Sequence, residues 1–323
     1  MYKIILIVLF TIICLPSYGQ KATPKNTGSS TTQETSKSKS SSKLYERSGK
    51  DILVSALDRL NSPFNEYYIA PYKDGVVYSV IKSSGTPTNS GDVLFYYSKI
   101  KDGKYGNPEK FELNTPNTII PLAVSFDHGN QLMFITCLDH PADINNKTVK
   151  ADRYHIYQAN MKANKWDNWT ELPFSKTLES AGFAVVNAAS NTLYFSAKDQ
   201  GSTNGFDIYT ATKSKDTWAN AKKMGGNVNS SMDEMRPAVY NNSLFYSSNG
   251  KGGFGKFDLF LFDLAAKEAE SYNLDANFNT DDNDLFFLLL NDNKNGYLIN
   301  DHKKNTKGDL YSFKVNGAKG FIN

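Results

Sequence analysis

From about residue 51 onward the chain alternates short apolar runs, rich in Tyr, Phe, Val and Ile, with punctuation by Gly, Asn, Asp and Lys. No window sustains a period of 3.6 and aromatic residues reach 13%, a composition of strands separated by turns. The runs repeat. LYFSAKDQGSTNGFDIY (193–209) aligns without a gap on LFYSSNGKGGFGKFDLF (244–260), placing Asp207 and Asp258 51 residues apart, and GYLINDHKKNTKGDLY puts Asp309 and Tyr311 another 51 along. Two looser copies lie upstream. QLMFITCLDHPADINNKTVKADRYHIYQA carries His155 in place of the aspartate, and GVVYSVIKSSGTPTNSGDVLFYYS offers Asp92 as its counterpart.

Each copy opens on an inner run apolar on both faces (67–71, 121–125, 183–186, 236–240 and 285–290). A middle strand, a polar hairpin, a third strand and a weaker outer run often holding Trp or Phe follow. Four antiparallel strands in roughly fifty residues describe a propeller blade, which cannot cover its faces alone and stacks radially on its neighbours. The pattern therefore predicts an all-β, five-bladed propeller with four-stranded antiparallel blades. DILVSALDRLNS (51–62) is expected to complete the last blade beside 308–315 and close the ring. Six blades remain the alternative if residues 44–60 contribute more than a closing strand.

The N-terminus differs in texture. Lys3, an apolar run from Ile4 to Leu15, Pro16 and the small-residue site Ser17-Tyr18-Gly19 have the layout of a secretory signal peptide over 1–19. Residues 20–43 are Ser/Thr/Lys-rich and too polar to bury a core, so a disordered linker is expected there, followed by the propeller domain over 44–323. No segment has the length of a transmembrane helix. Beyond the signal the one cysteine is Cys137, which cannot form an internal disulfide and reads as a small buried hydrophobe. The net charge of +3 falls to +2 without Lys3, a near-balance that argues against nucleic acid as a partner.

SSNGKGGFGKFDLF (247–260) spells Gly250-x-Gly252-x-x-Gly255 after a strand. A dinucleotide fold needs a helix after the third glycine, whereas Lys256–Phe262 alternates as a strand, so a hairpin is expected. The repeats 193–209 and 244–260, with NSSMDEMRPAV (229–239), resemble the WD40-like, TolB-like propeller repeat of Gram-negative envelope proteins. The resemblance covers about residues 61–315. It implies a periplasmic or outer-membrane-associated propeller used for binding or scaffolding, often joined to a peptidoglycan-binding domain. This chain departs from that arrangement in having nothing after the last blade.

Asp92, Asp207, Asp258 and Asp309 read as a structural repeat signature, a carboxylate at a strand start that accepts backbone N–H bonds. A second recurring acid precedes the inner strands: Glu66, Glu179, Asp233 with Glu234, and Asp281 with Asp282. These acids either satisfy the inter-blade linkers or sit at a channel mouth and hold a cation or basic group. NDNKNG (291–296) begins with Asn and lacks the closing Glu of a calcium loop, so a hairpin tip is expected. SFDHGNQLMF (125–134) echoes a sialidase-type Asp box but aligns better as a turn between inner and middle strands. The four histidines have no ligand spacing. No catalytic residue, metal set or cofactor is assigned.

The expectation is an exported, non-enzymatic binding or scaffold module of the cell envelope, a monomer or part of a larger complex. Its partner would be an envelope protein or a cell-wall glycan. Candidate contacts are Lys251, Phe254 and Lys256, Asp199 and Asn204, the insertion 140–150, and the acids Glu66, Glu179, Glu234 and Asp282. The rival is a glycan-active hydrolase with carboxylates converging at the channel mouth.

Overall fold

The computed structural model describes residues 52–139, 153–215, 217–266, 270–301 and 307–322. The expected signal peptide, linker and 140–150 insertion lie outside them. Twenty-one strands form five antiparallel sheets. Blade 1 is β2(Asn65–Tyr72), β3(Gly75–Ile81) and β4(Val93–Lys101), its outer edge shared by β5(Lys104–Tyr105) and β6(Glu109–Lys110). Blade 2 is β7(Ile119–Phe126), β8(Leu132–Asp139), β9(Tyr154–Lys162) and β10(Lys165–Glu171). Blade 3 is β11(Ser180–Val186), β12(Thr192–Lys198), β13(Asp207–Ser214) and β14(Thr217–Lys223). Blade 4 is β15(Glu234–Tyr240), β16(Ser243–Ser248), β17(Asp258–Asp263) and β18(Ser271–Asn273). Blade 5 is β19(Asp284–Leu289), β20(Asn295–Asn300), β21(Asp309–Val315) and β1(Ile52–Ala56). The last strand of the ring thus comes from the N-terminal side, Val54 pairing with Phe313. This is the predicted closure of a five-bladed ring, and two 3-10 turns are the sole helical pieces among the described residues.

Packing follows from the apolar inner and middle strands. All seven residues of β3 and all six of β16 are buried. Two outer tryptophans lean on the preceding blade: Trp166 packs against Tyr72, and Trp218 stacks edge-on against Phe134 and donates its indole N–H to Gln158 at 2.8 Å. Cys137 is fully buried in the core of blades 1 and 2. The glycine-rich stretch before β17 is a turn leading into a strand: Gly252 has φ +68°, and a Cβ on Gly255 would collide with the Asp282 carbonyl.

The joints between blades leave backbone groups that no ladder satisfies, and buried groups of that kind must find partners. A six-residue motif supplies them: Asn61–Glu66 (NSPFNE), Asn229–Glu234 (NSSMDE) and Asn279–Asp284 (NTDDND). The leading asparagines accept from the backbone N–H of Leu310, Ile208 and Leu259 at 2.7–2.8 Å and return an amide N–H to the same residues' carbonyls at 3.0–3.1 Å. Each asparagine therefore continues the ladder along the outer side of the preceding blade's third strand, just past the last fourth-strand bond to the same carbonyl. Before blade 3, Ser175 takes this place, accepting from Ile156 N–H at 2.9 Å. The closing acid folds back on the motif's own hydroxyl residue: Ser62 N–H and Oγ donate to Glu66 Oε1, Ser230 donates to Glu234, and Thr280 donates to Asp284.

These acids are wholly buried. Burial is the leading cause that pushes the carboxyls of Glu66 and Asp284 up to about 7, outweighing the hydrogen bonds from Ser62 and Thr280. A carboxyl raised in the folded state favours folding while protonated. That stability is complete below the unfolded values near 4, declines as pH rises and is lost above about pH 7. Glu66→Gln keeps an acceptor toward Ser62 and removes the titration, so its melting temperature relative to the native protein should rise between pH 5 and pH 8; a pH-independent difference contradicts the assignment. Asn279→Ala strands the buried Leu259 N–H, whose carbonyl keeps its bond from Leu274 N–H, and takes the Asn279 amide from the Leu274 carbonyl, at about 1–3 kcal/mol for each buried group. Denaturant unfolding should show a loss of roughly 2–4 kcal/mol, against under about 1 kcal/mol for Asn187→Ala in a partly exposed turn.

Candidate functional site

Every inner strand carries a register irregularity against its middle strand. The residues left out of register are Tyr67 in β2, Leu122 in β7, Phe183 with Ala184 in β11, Arg236 with Pro237 in β15, and Leu285 in β19. A bulge bends its strand and re-aims a side chain. Phe183 and Arg236 reach left-handed backbone, with φ +56° and +54°, an unusual conformation for bulky residues. Hydroxyls from the middle strand of the preceding blade secure these positions: Thr136 accepts from Phe183 N–H at 2.6 Å, Ser196 accepts from Arg236 N–H at 3.0 Å, and Ser79 donates to the Leu122 carbonyl at 2.7 Å.

The re-aimed side chains meet on the axis. Arg236 of blade 4 donates Nη1–H to the Tyr67 carbonyl of blade 1 at 2.8 Å and stacks its guanidinium over the Tyr67 and Phe183 rings, 4.4 and 5.0 Å from their centroids. Blades 1, 3 and 4 are not all neighbours in the ring, so these contacts span its centre. Tyr68 packs between Phe183 at 6.2 Å and Phe286 at 4.7 Å. The middle of the ring is thus filled by Arg236 and aromatic rings.

Beyond this filling, at the face where the inner strands end, lies a cavity of about 360 Å3 lined by all five blades. Its wall includes Tyr68, Tyr72, Phe126 and Phe286, and its rim includes Lys73, Asp127, His128, Asn130, Asn187 and Asn291. The rim residues come from the short turns between inner and middle strands. Asp127 shapes one of them, its Oδ1 accepting from Gln131 and Leu132 N–H at 2.7 and 2.8 Å, and Asn187 does the same toward Asn191 and Thr192. SFDHGNQLMF is accordingly the inner-to-middle turn anticipated from its alignment.

The residues singled out from sequence lie elsewhere. Lys251, Phe254, Lys256, Asp199 and Asn204 sit on the hairpins between middle and third strands, at the opposite face, where the inner strands begin. Phe254 is 52% exposed, Asp199 and Asn204 are exposed, and Lys251 donates to the Asn227 carbonyl. Glu66 and Glu234 occupy equivalent positions below this face, but Asp284 fills the equivalent place in blade 5; Asp282 and Glu179 are only partly buried in the approach to their strands. Ala181 stands there in blade 3, aligned with Ala197 and Asp207 as Glu234 is with Ser248 and Asp258.

The third-strand aspartates are held differently from one another. Asp258 accepts from the N–H groups of Phe254 and Gly255, while Asp207 pairs with Lys223 at 2.6 Å. In blade 2 the same pairing is inverted, His155 meeting Glu171 at 2.9 Å. Lys307 lies 3.7 Å from Asp309. In blade 1 the register puts Leu94 opposite Val80, in the place that Asp258 holds opposite Ser248, and Asp92 lies two residues earlier, accepting from Thr88 and Asn89 N–H in an exposed 3-10 turn. Burial raises the carboxyls of Asp207 and Asp258, and hydrogen bonds lower that of Asp92.

Neither a family model nor a curated protein matches the sequence. Solved structures do share its fold. An α-L-arabinofuranosidase from Lactobacillus brevis is 12% identical with a TM-score of 0.50, over 83% of this chain and 97% of that one. TolB from Acinetobacter baumannii is 11% identical at 0.45 over 82% of this chain, which spans 57% of TolB's length. A chain of the nidogen/laminin complex is 13% identical at 0.45, over 80% and 89%. At 12% identity the arabinofuranosidase shows a shared fold alone, and a shared fold does not fix a function.

Proposed function

We propose that this protein is a non-enzymatic binding module, exported to the cell envelope, that receives a partner at the axial cavity where the inner strands end. The leader-like N-terminus and the repeat's resemblance to WD40-like, TolB-like envelope propellers support the location. One observation carries the choice of binding over catalysis: Asp127 is the one acid among the described residues lining the cavity, and its Oδ1 is already committed to two backbone amides. Glycoside hydrolysis by the usual route needs two carboxyl groups flanking the bond, roughly 5–10 Å apart. The recurring buried acids Glu66, Glu234 and Asp284 at the other end of the inner strands do not supply them, because they are 0% exposed and tied to their linkers. The cavity instead offers polar amides, Lys73 and His128 around an aromatic wall, a mixed lining suited to holding a ligand in one orientation.

Photo-crosslinking groups placed at Asn187 and at His128, on the cavity rim, should each capture the same discrete partner in native envelopes, while one placed at Lys222 on an outer strand should not. Absence of a rim-specific product contradicts the proposal. So does release of reducing sugar from envelope polysaccharides that Asp127→Asn abolishes, an outcome that restores the hydrolase reading.

A further inference from the structure

A second cavity, of about 480 Å3, lies on the opposite face between blades 5, 1 and 2. Its walls are the linker 63–65, the loop 82–87, Tyr67, Leu122, Leu138, Tyr154 and Lys307. We propose that this cavity binds a carboxylate-bearing saccharide, Lys82 and Lys307 taking the carboxylate and the rings of Phe64, Tyr67 and Tyr154 taking the sugar faces. The site is at the other end of the ring from the axial cavity, so it stands or falls separately from the reading above.

The charge is one-sided. Two lysines and no acidic residue stand among the described lining residues. Lys307 is partly engaged, donating to the Ser62 carbonyl at 2.9 Å and lying 3.7 Å from Asp309. Lys82 is exposed, and among the described residues its ammonium makes no hydrogen bond or ion pair. Behind the wall a third cation lacks a counter-charge. Arg236 is 7% exposed, and its guanidinium has the Tyr67 carbonyl and two ring faces as partners but no carboxylate among the described residues. A buried cation without an anion is costly, by several kcal/mol per ion even after relaxation. Tyr67, against whose ring the guanidinium rests, is also one of the residues lining the cavity.

The rest of the lining selects a sugar. Phe64 is 42% exposed, large for an aromatic side chain with no burial to gain from it, and it borders the cavity together with Tyr67 and Tyr154. Ser83, Ser84 and Thr86 line the rim with hydroxyls that can exchange hydrogen bonds with those of a sugar. The volume lies in the range of about 300–1,000 Å3 usual for small-ligand sites. A peptide carboxylate is less well served, because peptides commonly add to a free strand edge, whereas the cavity walls are side chains and loops.

Isothermal titration of the full chain with tri-galacturonic acid, galactotriose and hexaglutamate tests this. The expected result is binding of tri-galacturonic acid alone, weakened by added salt. Loss of one charge-assisted hydrogen bond corresponds to roughly tenfold in affinity, so Lys82→Gln should weaken binding by about that factor. Phe64→Ala should weaken it as well, and Asn187→Ala at the axial cavity should leave it unchanged. The proposal is overturned if tri-galacturonic acid gives no heat at millimolar concentration, or if galactotriose binds equally. It is also overturned if Lys82→Gln changes nothing, or if hexaglutamate binds as tightly with the same dependence on Lys82.

Discussion

The whole ring depends on how backbone groups are satisfied where one small sheet meets the next. A four-stranded blade hides its apolar faces only against neighbours, and the linker between blades must cross that seam without leaving N–H and carbonyl groups stranded. Asn61, Asn229 and Asn279 solve this by continuing the ladder along the outer side of the preceding blade's third strand, with two hydrogen bonds each to that strand. Asn61 joins the start of the propeller to its last blade, so the same contact that seals an ordinary seam also closes the circle beside β1. A hydrophobic ring held by area alone would permit blades to slide; paired amides fix their register.

The bulges follow from the same economy of space. Five sheets converging on an axis crowd their inner strands, and each strand yields by releasing a residue from register toward the centre. Where the released residue is Tyr67, Phe183 or Arg236, the centre fills and the two ends of the ring become separate chambers. The hydroxyls of Ser79, Thr136 and Ser196 hold three of these bulges from the preceding blade, so the geometry of the chambers is set by the seams as much as by their own linings.

The blade count, the strand order and the closing strand were legible in the sequence, because a 51-residue repeat with alternating apolar runs leaves few other ways to bury its faces. The phase of the recurring acids was partly legible. NSPFNE, NSSMDE and NTDDND align without gaps, yet the extra aspartates of 279–284 draw attention to Asp281 and Asp282 and away from Asp284, the residue that folds back on Thr280. Asp92 misled in the same way, since a 3-10 turn inserted before β4 shifts the acid two places from the repeat position, which Leu94 fills. The axial cavity left only a faint trace, the SFDHGNQLMF turn that supplies Asp127, His128 and Asn130 to its rim. Its rim is made of unremarkable turn residues, and Arg236 declares itself only when blades 1, 3 and 4 are seen to meet, a relation that no local pattern encodes. The one available hint of Arg236 was the break in the inner-strand pattern, an arginine before Pro237 where the sister copies are apolar.

Native-state hydrogen exchange at the amides of Ile208, Leu259 and Leu310 addresses the central claim most directly. If asparagine-sealed seams make the ring one cooperative unit, these three amides exchange as slowly as those of the buried middle strands and share a single opening free energy. Exchange of any one of them through a smaller local opening, with the blades unfolding one at a time, contradicts the account.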